Sequence, residues 1–289
     1  MKVFLQDKIV EARRASVSLF DHGYLYGDGI YETVRVEDHR VLFWPEHYRR
    51  LKRSARLLQL KVPWSSRYLL QGISKVLKAN QAPNASVRIT ISRGPGPLGL
   101  DPSVCPHPTL AMLLHPERPI AELQKNGVSI GIAQVRRNHP LCLDPRIKSN
   151  NALNTILAKM EGQKMRVFET VLLNLAGHLT EGTTSNIFFA KKGVLHTPAL
   201  ACGLLEGVTR GMVLRLAGRA GVPVREGRYS LQNLRQADEI FLTSTTLEIV
   251  PVVKVASRSK TLWTGHPGPL TCRLHERLRN HASPYPFGL

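Results

Sequence analysis

The stretch Asp144-Pro145-Arg146-Ile147-Lys148-Ser149-Asn150-Asn151 holds one lysine between a proline-bearing entry and a polar cap that precedes a helical pattern. A lysine pinned by local backbone in this way suits imine chemistry. The free amine is protonated and a poor nucleophile, but desolvation and a neighbouring cation such as Arg146 would lower its pKa. With 40 Lys and Arg residues in the chain, a lone lysine is by default a solvated surface charge, so the assignment needs partners. Glu181, in Leu179-Thr180-Glu181-Gly182-Thr183-Thr184-Ser185-Asn186-Ile187-Phe188-Phe189, sets a carboxylate and a cluster of hydroxyls before an apolar strand. Leu205-Glu206-Gly207-Val208-Thr209-Arg210 opens a helix, where free amides favour an anion. Phe241-Leu242-Thr243-Ser244-Thr245-Thr246 empties a strand into a turn whose hydroxyls and amides can donate to phosphate or carboxylate. Arg50 adds a guanidinium that can grip phosphate with two prongs. Each feature alone also has a plain reading, as a turn glutamate, an ordinary helix start or a surface arginine.

The elements that must position these groups follow from periodicity and breakers. Val3-Phe4-Leu5 and Ile9-Val10 alternate as strands around a turn at Asp7-Lys8. Three glycines at Gly23, Gly27 and Gly29 allow close backbone approach ahead of a strand that carries Tyr31 to Val36. Glu46 to Leu60 is an amphipathic helix with Leu51, Ala55 and Leu58 on one side and the basic group from His47 to Arg56 on the other. Trp64 to Lys78 is a second helix, and Ser86 to Ser92 and Leu110 to Leu114 are strands. The Gly/Pro run from Arg93 to Pro102 is a connector or a lid. Prolines at Pro116 and Pro119 mark a domain boundary, giving a small domain over 1–118 and a larger one over 119–289. Beyond it the helix after Lys148 shows Leu153, Ile156, Leu157 and Met160 on one face.

Bulk composition limits the function classes. Hydrophobic residues make up 43% of 289, enough for a sizeable core in about two domains. Forty basic against 21 acidic residues give a formal charge of +19, which raises a nucleic-acid-binding protein as a rival reading. Scattered basic residues and the lack of any zinc-finger or RNA-binding signature speak for a solvated helix face instead, so neither a nucleic-acid nor a membrane partner is expected. Cys105, Cys142, Cys202 and Cys272 form no C-x-x-C pair, so neither a disulfide framework nor a metal site is expected. With no signal peptide and no long apolar run, a cytoplasmic protein is expected.

An imine-forming lysine, a carboxylate and a phosphate cradle together match the needs of pyridoxal 5'-phosphate, whose ring nitrogen the carboxylate would keep protonated. The chain resembles the class IV aminotransferases of fold type IV. The resemblance rests on Tyr26-Gly27-Asp28-Gly29-Ile30-Tyr31-Glu32, His47-x-x-Arg50-Leu51, Asp144 to Ser149, Glu181 to Phe188, Leu205 to Arg210, and Phe241-Leu242-Thr243-Ser244-Thr245-Thr246-x-Glu248-Ile249. These occur in the family's order across almost the whole chain. The resemblance implies an α/β fold with a small N-terminal domain and a larger C-terminal domain built on a barrel-like sheet. It makes Lys148 the catalytic, cofactor-bearing lysine and sets Glu181 at the ring nitrogen and Leu205 against the ring. Arg50, the amides of Val208 and Thr209, and Thr245 would take the phosphate, with Gly207 and Ser244 in the same cradle. Tyr31, Arg88, Leu98 and Thr246 would face the substrate. A homodimer is implied, the loop at 94–100 of one subunit completing the other's site.

Substrate choice rests on finer matches. The run from Ser92 to Pro102 and Arg146-Ile147-Lys148-Ser149 look most like branched-chain amino-acid aminotransferases, so an aliphatic L-amino acid and a 2-oxo acid are the expected substrates. Thr243-Ser244-Thr245-Thr246 is closer to D-amino-acid aminotransferases, and Ser86 stands where branched-chain enzymes tend to carry tyrosine. Against the D-specific alternative, Leu98 fills the position of a carboxylate-binding arginine. Aminodeoxychorismate lyase, a relative with the same cofactor, is the third alternative.

Overall fold

A computed structural model describes residues 1–116, 119–258, 260–281 and 284–285. In chain order its strands and α-helices begin with β1 (Lys2–Leu5), β2 (Lys8–Glu11), α1 (His22–Tyr26), β3 (Gly29–Glu37), β4 (Arg40–Leu42), α2 (Trp44–Leu57), α3 (Ser66–Ala79), β5 (Ala85–Ser92) and β6 (Thr109–Pro116). Next come α4 (Ala121–Asn126), β7 (Val128–Arg136), α5 (Leu153–Met165), β8 (Glu169–Leu173), β9 (Leu179–Gly182), β10 (Asn186–Lys191), β11 (Val194–Pro198), α6 (Val208–Arg219) and β12 (Val224–Gly227). The chain ends with α7 (Leu231–Arg235), β13 (Glu239–Ser244), β14 (Glu248–Ser257), β15 (Lys260–Thr264), α8 (Pro269–His281) and β16 (Pro284–Tyr285). They fall into two compact units, one of Met1–Arg118, Ile147–Asn151 and Ala282–Leu289, the other of Pro119–Arg146 and Ala152–His281.

In the first unit the described residues form a seven-stranded sheet in the order β16-β4-β3-β5-β6-β1-β2. Strict alternation decides its two faces. Ala85, Val87, Ile89 and Ile91 of β5 meet Val34, Met112 and Phe4 on one side, where α2 and α3 bury Leu51, Ala55, Leu69, Ile73 and Val76 in the same core. Tyr31, Thr33, Ser86, Arg88 and Thr90 take the other side. Ser65 caps α3 by accepting from the Tyr68 amide, while α2 starts after Phe43 in a left-handed turn with Pro45 in its first positions.

In the second unit the described residues form a nine-stranded mixed sheet along β12-β11-β10-β13-β14-β7-β8-β9, with β15 on β14. It curls until β9 comes against β10 and β11. Its core includes Ile130, Val171, Ile187, Phe189, Leu242, Val250 and Val252, and β8, β10 and β13 are buried along nearly their whole length. Burial of both faces explains why these strands read as continuous apolar runs. The curl brings the ends of β9, β10 and β13 together, which is where the sequence places its carboxylate and hydroxyls.

Two helix expectations change. Arg50 and His47 lie on the buried side of α2, so only Arg49, Lys52 and Arg56 form its solvated face. On α5 the apolar stripe faces outward, with Leu153, Ile156, Leu157 and Met160 between 45% and 63% exposed, and the helix packs on the sheet through Ala158 and Gly162.

Candidate active site

In the first unit, the segment carrying Lys148 is held along the edge of β3. The Tyr31 amide donates to the Lys148 carbonyl at 2.9 Å, the Asn150 amide to the Gly29 carbonyl at 2.8 Å, and the Lys148 amide to Ser54 Oγ at 3.1 Å. Gly29 permits this approach, because a Cβ there would lie 2.5 Å from Asn150 Nδ2 and 2.8 Å from the Ile91 carbonyl. Lys148 Nζ thereby sits 4.3 Å from the Tyr31 ring centroid. The Arg88 guanidinium lies 3.6 Å from the same centroid and donates to Thr90 Oγ1 at 3.3 Å and Asn150 Oδ1 at 3.5 Å. The Lys148 ammonium pulls the Tyr31 phenol below its ordinary pKa against the effect of burial, and Arg88 adds to the pull. Arg146 has a different role from the one its position suggests. It is exposed and clamped by Asp144, Nη2 to Oδ2 at 2.6 Å, so its charge is already matched.

Arg50 is buried against Glu32. Its Nε donates to Oε1 at 2.7 Å and its Nη2 to Oε2 at 2.8 Å, while His47 Nδ1 sits 2.8 Å from Oε2. Burial works to raise the Glu32 pKa, but Arg50 and the hydrogen bonds it and His47 make hold the carboxyl well below the usual range. Burial pushes the His47 imidazole below its ordinary value, the Glu32 contact opposing. Two of Arg50's nitrogens thus bind the Glu32 carboxylate, which fixes the direction of the guanidinium.

In the second unit, Glu181 is buried at the end of β9. Its Oε1 accepts from Arg137 Nε at 2.9 Å, and its Oε2 accepts from the Leu205 amide at 3.0 Å and Asn186 Nδ2 at 3.4 Å. Asn186 Nδ2 also donates to the Leu205 carbonyl at 3.0 Å, so one amide group ties Glu181 to the segment entering α6. Glu169 secures the turn between Glu181 and Asn186. It accepts from the amides and hydroxyls of Thr183 and Thr184 and from Ser185 Oγ, at 2.5 to 3.2 Å. Gly207 precedes α6 with no side-chain cap on the helix, and Val208 and Thr209 are its first residues. Asn186 pairs with Thr243 across β10 and β13, so Ser244 and Thr245 follow directly from that pairing. Ser244 Oγ accepts from the Leu247 amide at 3.2 Å and shapes the turn, and the buried Thr243 hydroxyl has no hydrogen-bond partner among the described residues.

The candidates thus gather in two sets, Tyr31, Arg88 and Lys148 with Arg50 in the first unit, and Glu181, Leu205, Gly207, Val208, Thr209, Ser244 and Thr245 in the second. Leu98 is 71% exposed on its loop and Thr246 is exposed at the turn. Arg137, Asn186, Glu32 and Glu169 are supporting residues that sequence reasoning passes over. Glu32 and Asn186 stand inside the quoted motifs, whereas nothing in local spacing marks Arg137 or Glu169. Among the described residues no cluster of His, Cys, Asp and Glu could hold a metal ion, and no helix is long and apolar enough to cross a membrane.

Comparison with known proteins identifies the family. A model of the class IV amino-transferases matches residues 29–255. A Methanocaldococcus jannaschii protein provisionally named a branched-chain-amino-acid aminotransferase is 38% identical over 280 residues, covering 97% of this chain and 96% of that one. A D-alanine aminotransferase of Bacillus licheniformis is 32% identical over 97% of this chain and 96% of its own length. The crystal structure of the branched-chain amino acid aminotransferase of Escherichia coli superposes with a TM-score of 0.90 at 27% identity, over 98% of this chain and 94% of that one. The chain belongs to the class IV aminotransferases, enzymes of fold type IV that work with pyridoxal 5'-phosphate. The donor set fits that cofactor. A carboxylate offers about four acceptor positions, and Glu181 has used three, which leaves one for a ring N–H.

Proposed function

We propose that this enzyme moves the amino group of aliphatic L-amino acids, branched-chain ones first, to a 2-oxo acid. The observation that carries the substrate class is likeness over nearly the full chain to branched-chain enzymes, in the M. jannaschii relative and the E. coli structure. The exposed, apolar Leu98 supports it, since that position carries an arginine in the D-specific pattern.

Bound pyridoxal phosphate supplies an aldehyde that condenses with amines and a protonated ring that draws in the electrons released when a Cα–H proton leaves. The residues of this chain do the rest. Lys148 would hold the cofactor through its amine, and that amine would take the Cα proton and return it. Glu181, aimed by Arg137 and the Leu205 amide, would accept the ring N–H and keep the proton there. Arg50, the amides of Val208 and Thr209 under Gly207, and Thr245 with Ser244 would take the phosphate, and Leu205 would pack on the ring. Tyr31, Arg88 and Thr246 face the substrate, and Leu98 does so toward a second subunit. The outward apolar stripe of α5 supports a homodimer, because a second copy would cover it. We place the enzyme in the cytoplasm.

A parallel assay offering L-leucine with 2-oxoglutarate, D-alanine with 2-oxoglutarate, and aminodeoxychorismate tests the reading. Amino transfer from L-leucine should be fastest. Faster transfer from D-alanine, or pyruvate release from aminodeoxychorismate, would replace it.

A further inference from the structure

Between Arg40 and Leu100 the sequence holds a single acidic residue, Glu46, half-buried in the first turn of α2. The same span supplies both helices that cover the first unit's sheet. On α2 the exposed side carries Arg49, Lys52 and Arg56 at spacings of three and four, and on α3 it carries Arg67, Lys75 and Lys78 at eight and three. Such spacings put each trio on one helix face. Both helices lie on the same side of the sheet, since Glu32, Ile89 and Met112 are register neighbours on one face, Glu32 meeting α2 and Met112 meeting Gly72 of α3. Trp44 Nε1 donates to Ser66 Oγ at 2.8 Å and ties the two helix starts together. α2 packs on β3 and α3 on β6 and β1. β3 and β6 are separated by β5 alone, so the two helices cover neighbouring parts of one sheet face. Sequence shows one basic helix face at a time; the fold sets two side by side without an exposed carboxylate on either.

We infer that the outer face of α2 and α3 docks the phosphate backbone of nucleic acid, without regard to base sequence. Two trios of cations on rigid helices that share one sheet face match closely spaced phosphates, and neutralising them releases condensed counterions. An anionic lipid surface is the poorer fit. Helices that lie on membranes set Trp, Phe and Leu beside their basic residues, whereas the exposed neighbours here are Gln59 and Gln71, with Leu57 the lone exposed large apolar side chain on the two helices. On α8, by contrast, an exposed Glu276 lies between Arg273 and Arg277.

The test measures binding of the cofactor-loaded enzyme to a short fluorescein-labelled DNA duplex by anisotropy across a salt series. A face variant, Lys52→Glu with Lys75→Glu, is compared with a charge-matched control, Arg273→Glu with Arg277→Glu. Wild type should bind with a log–log salt slope approaching about −5 if all six cations engage. The face variant should lose about tenfold or more in affinity and about two in slope, the control several-fold less, with aminotransferase rates unchanged in both. Equal losses in the two variants would mean that net charge, not this face, does the binding, and would overturn the proposal. So would failure to bind the duplex at about 50 mM salt, or capture by phosphatidylserine vesicles but not by the duplex.

Discussion

Glu181 and Glu32 are two buried carboxylates with different tasks. Glu32 is gripped by the Arg50 guanidinium on both oxygens and by His47, so its charge serves to aim the arginine. Glu181 keeps an acceptor position open while Arg137, Asn186 and the Leu205 amide fix its direction. Glu181→Gln should therefore retain the cofactor but slow deuterium exchange at the substrate Cα by on the order of a hundredfold, the usual cost of removing one preorganised charge partner. An unchanged exchange rate would remove Glu181 from the chemistry. Glu32→Gln acts elsewhere, leaving Arg50 buried beside a neutral amide. A loss of about 3–5 kcal/mol in urea unfolding is expected, because breaking a buried pair strands a charge.

Among elements, α5 shows what periodicity can and cannot report. The spacing of Leu153, Ile156, Leu157 and Met160 correctly predicts a helix with one apolar face, yet that face looks away from the sheet. Sequence registers an apolar stripe but not what covers it. If a second copy does, Ile156→Glu with Met160→Glu should convert the sedimenting species from dimer to monomer with little change in the unfolding midpoint of the chain. A dimer that survives this pair would move the interface elsewhere. The strands were legible for the opposite reason: alternation in β5 and continuous apolar runs in β8, β10 and β13 report one or two buried faces directly. Contacts between distant segments were not legible. His47 and Arg50 look like members of a basic helix face until Glu32 is seen to reach them from β3, and nothing in the order of residues says that Lys148 pairs its backbone with Tyr31.

For the molecule as a whole, the same buried pairing governs its response to acid. The folded pKa values of Glu32 and His47 both lie below their ordinary ones, so each contributes stability that is complete above the unfolded pKa and fades as pH falls toward the folded value. For His47 that decline begins below about pH 6.5, and for Glu32 below about pH 4.3. The urea midpoint should fall from pH 7 to pH 5, and less steeply in His47→Leu; equal slopes would deny His47 this part. Six chain segments, spread over both compact units, carry the family's pattern, and the account of what they do rests on a single tether. Borohydride reduction of the cofactor-loaded enzyme, followed by peptide mapping, tests it most directly. The pyridoxyl group should be found on the peptide containing Lys148, and a label fixed at any other lysine would contradict the account.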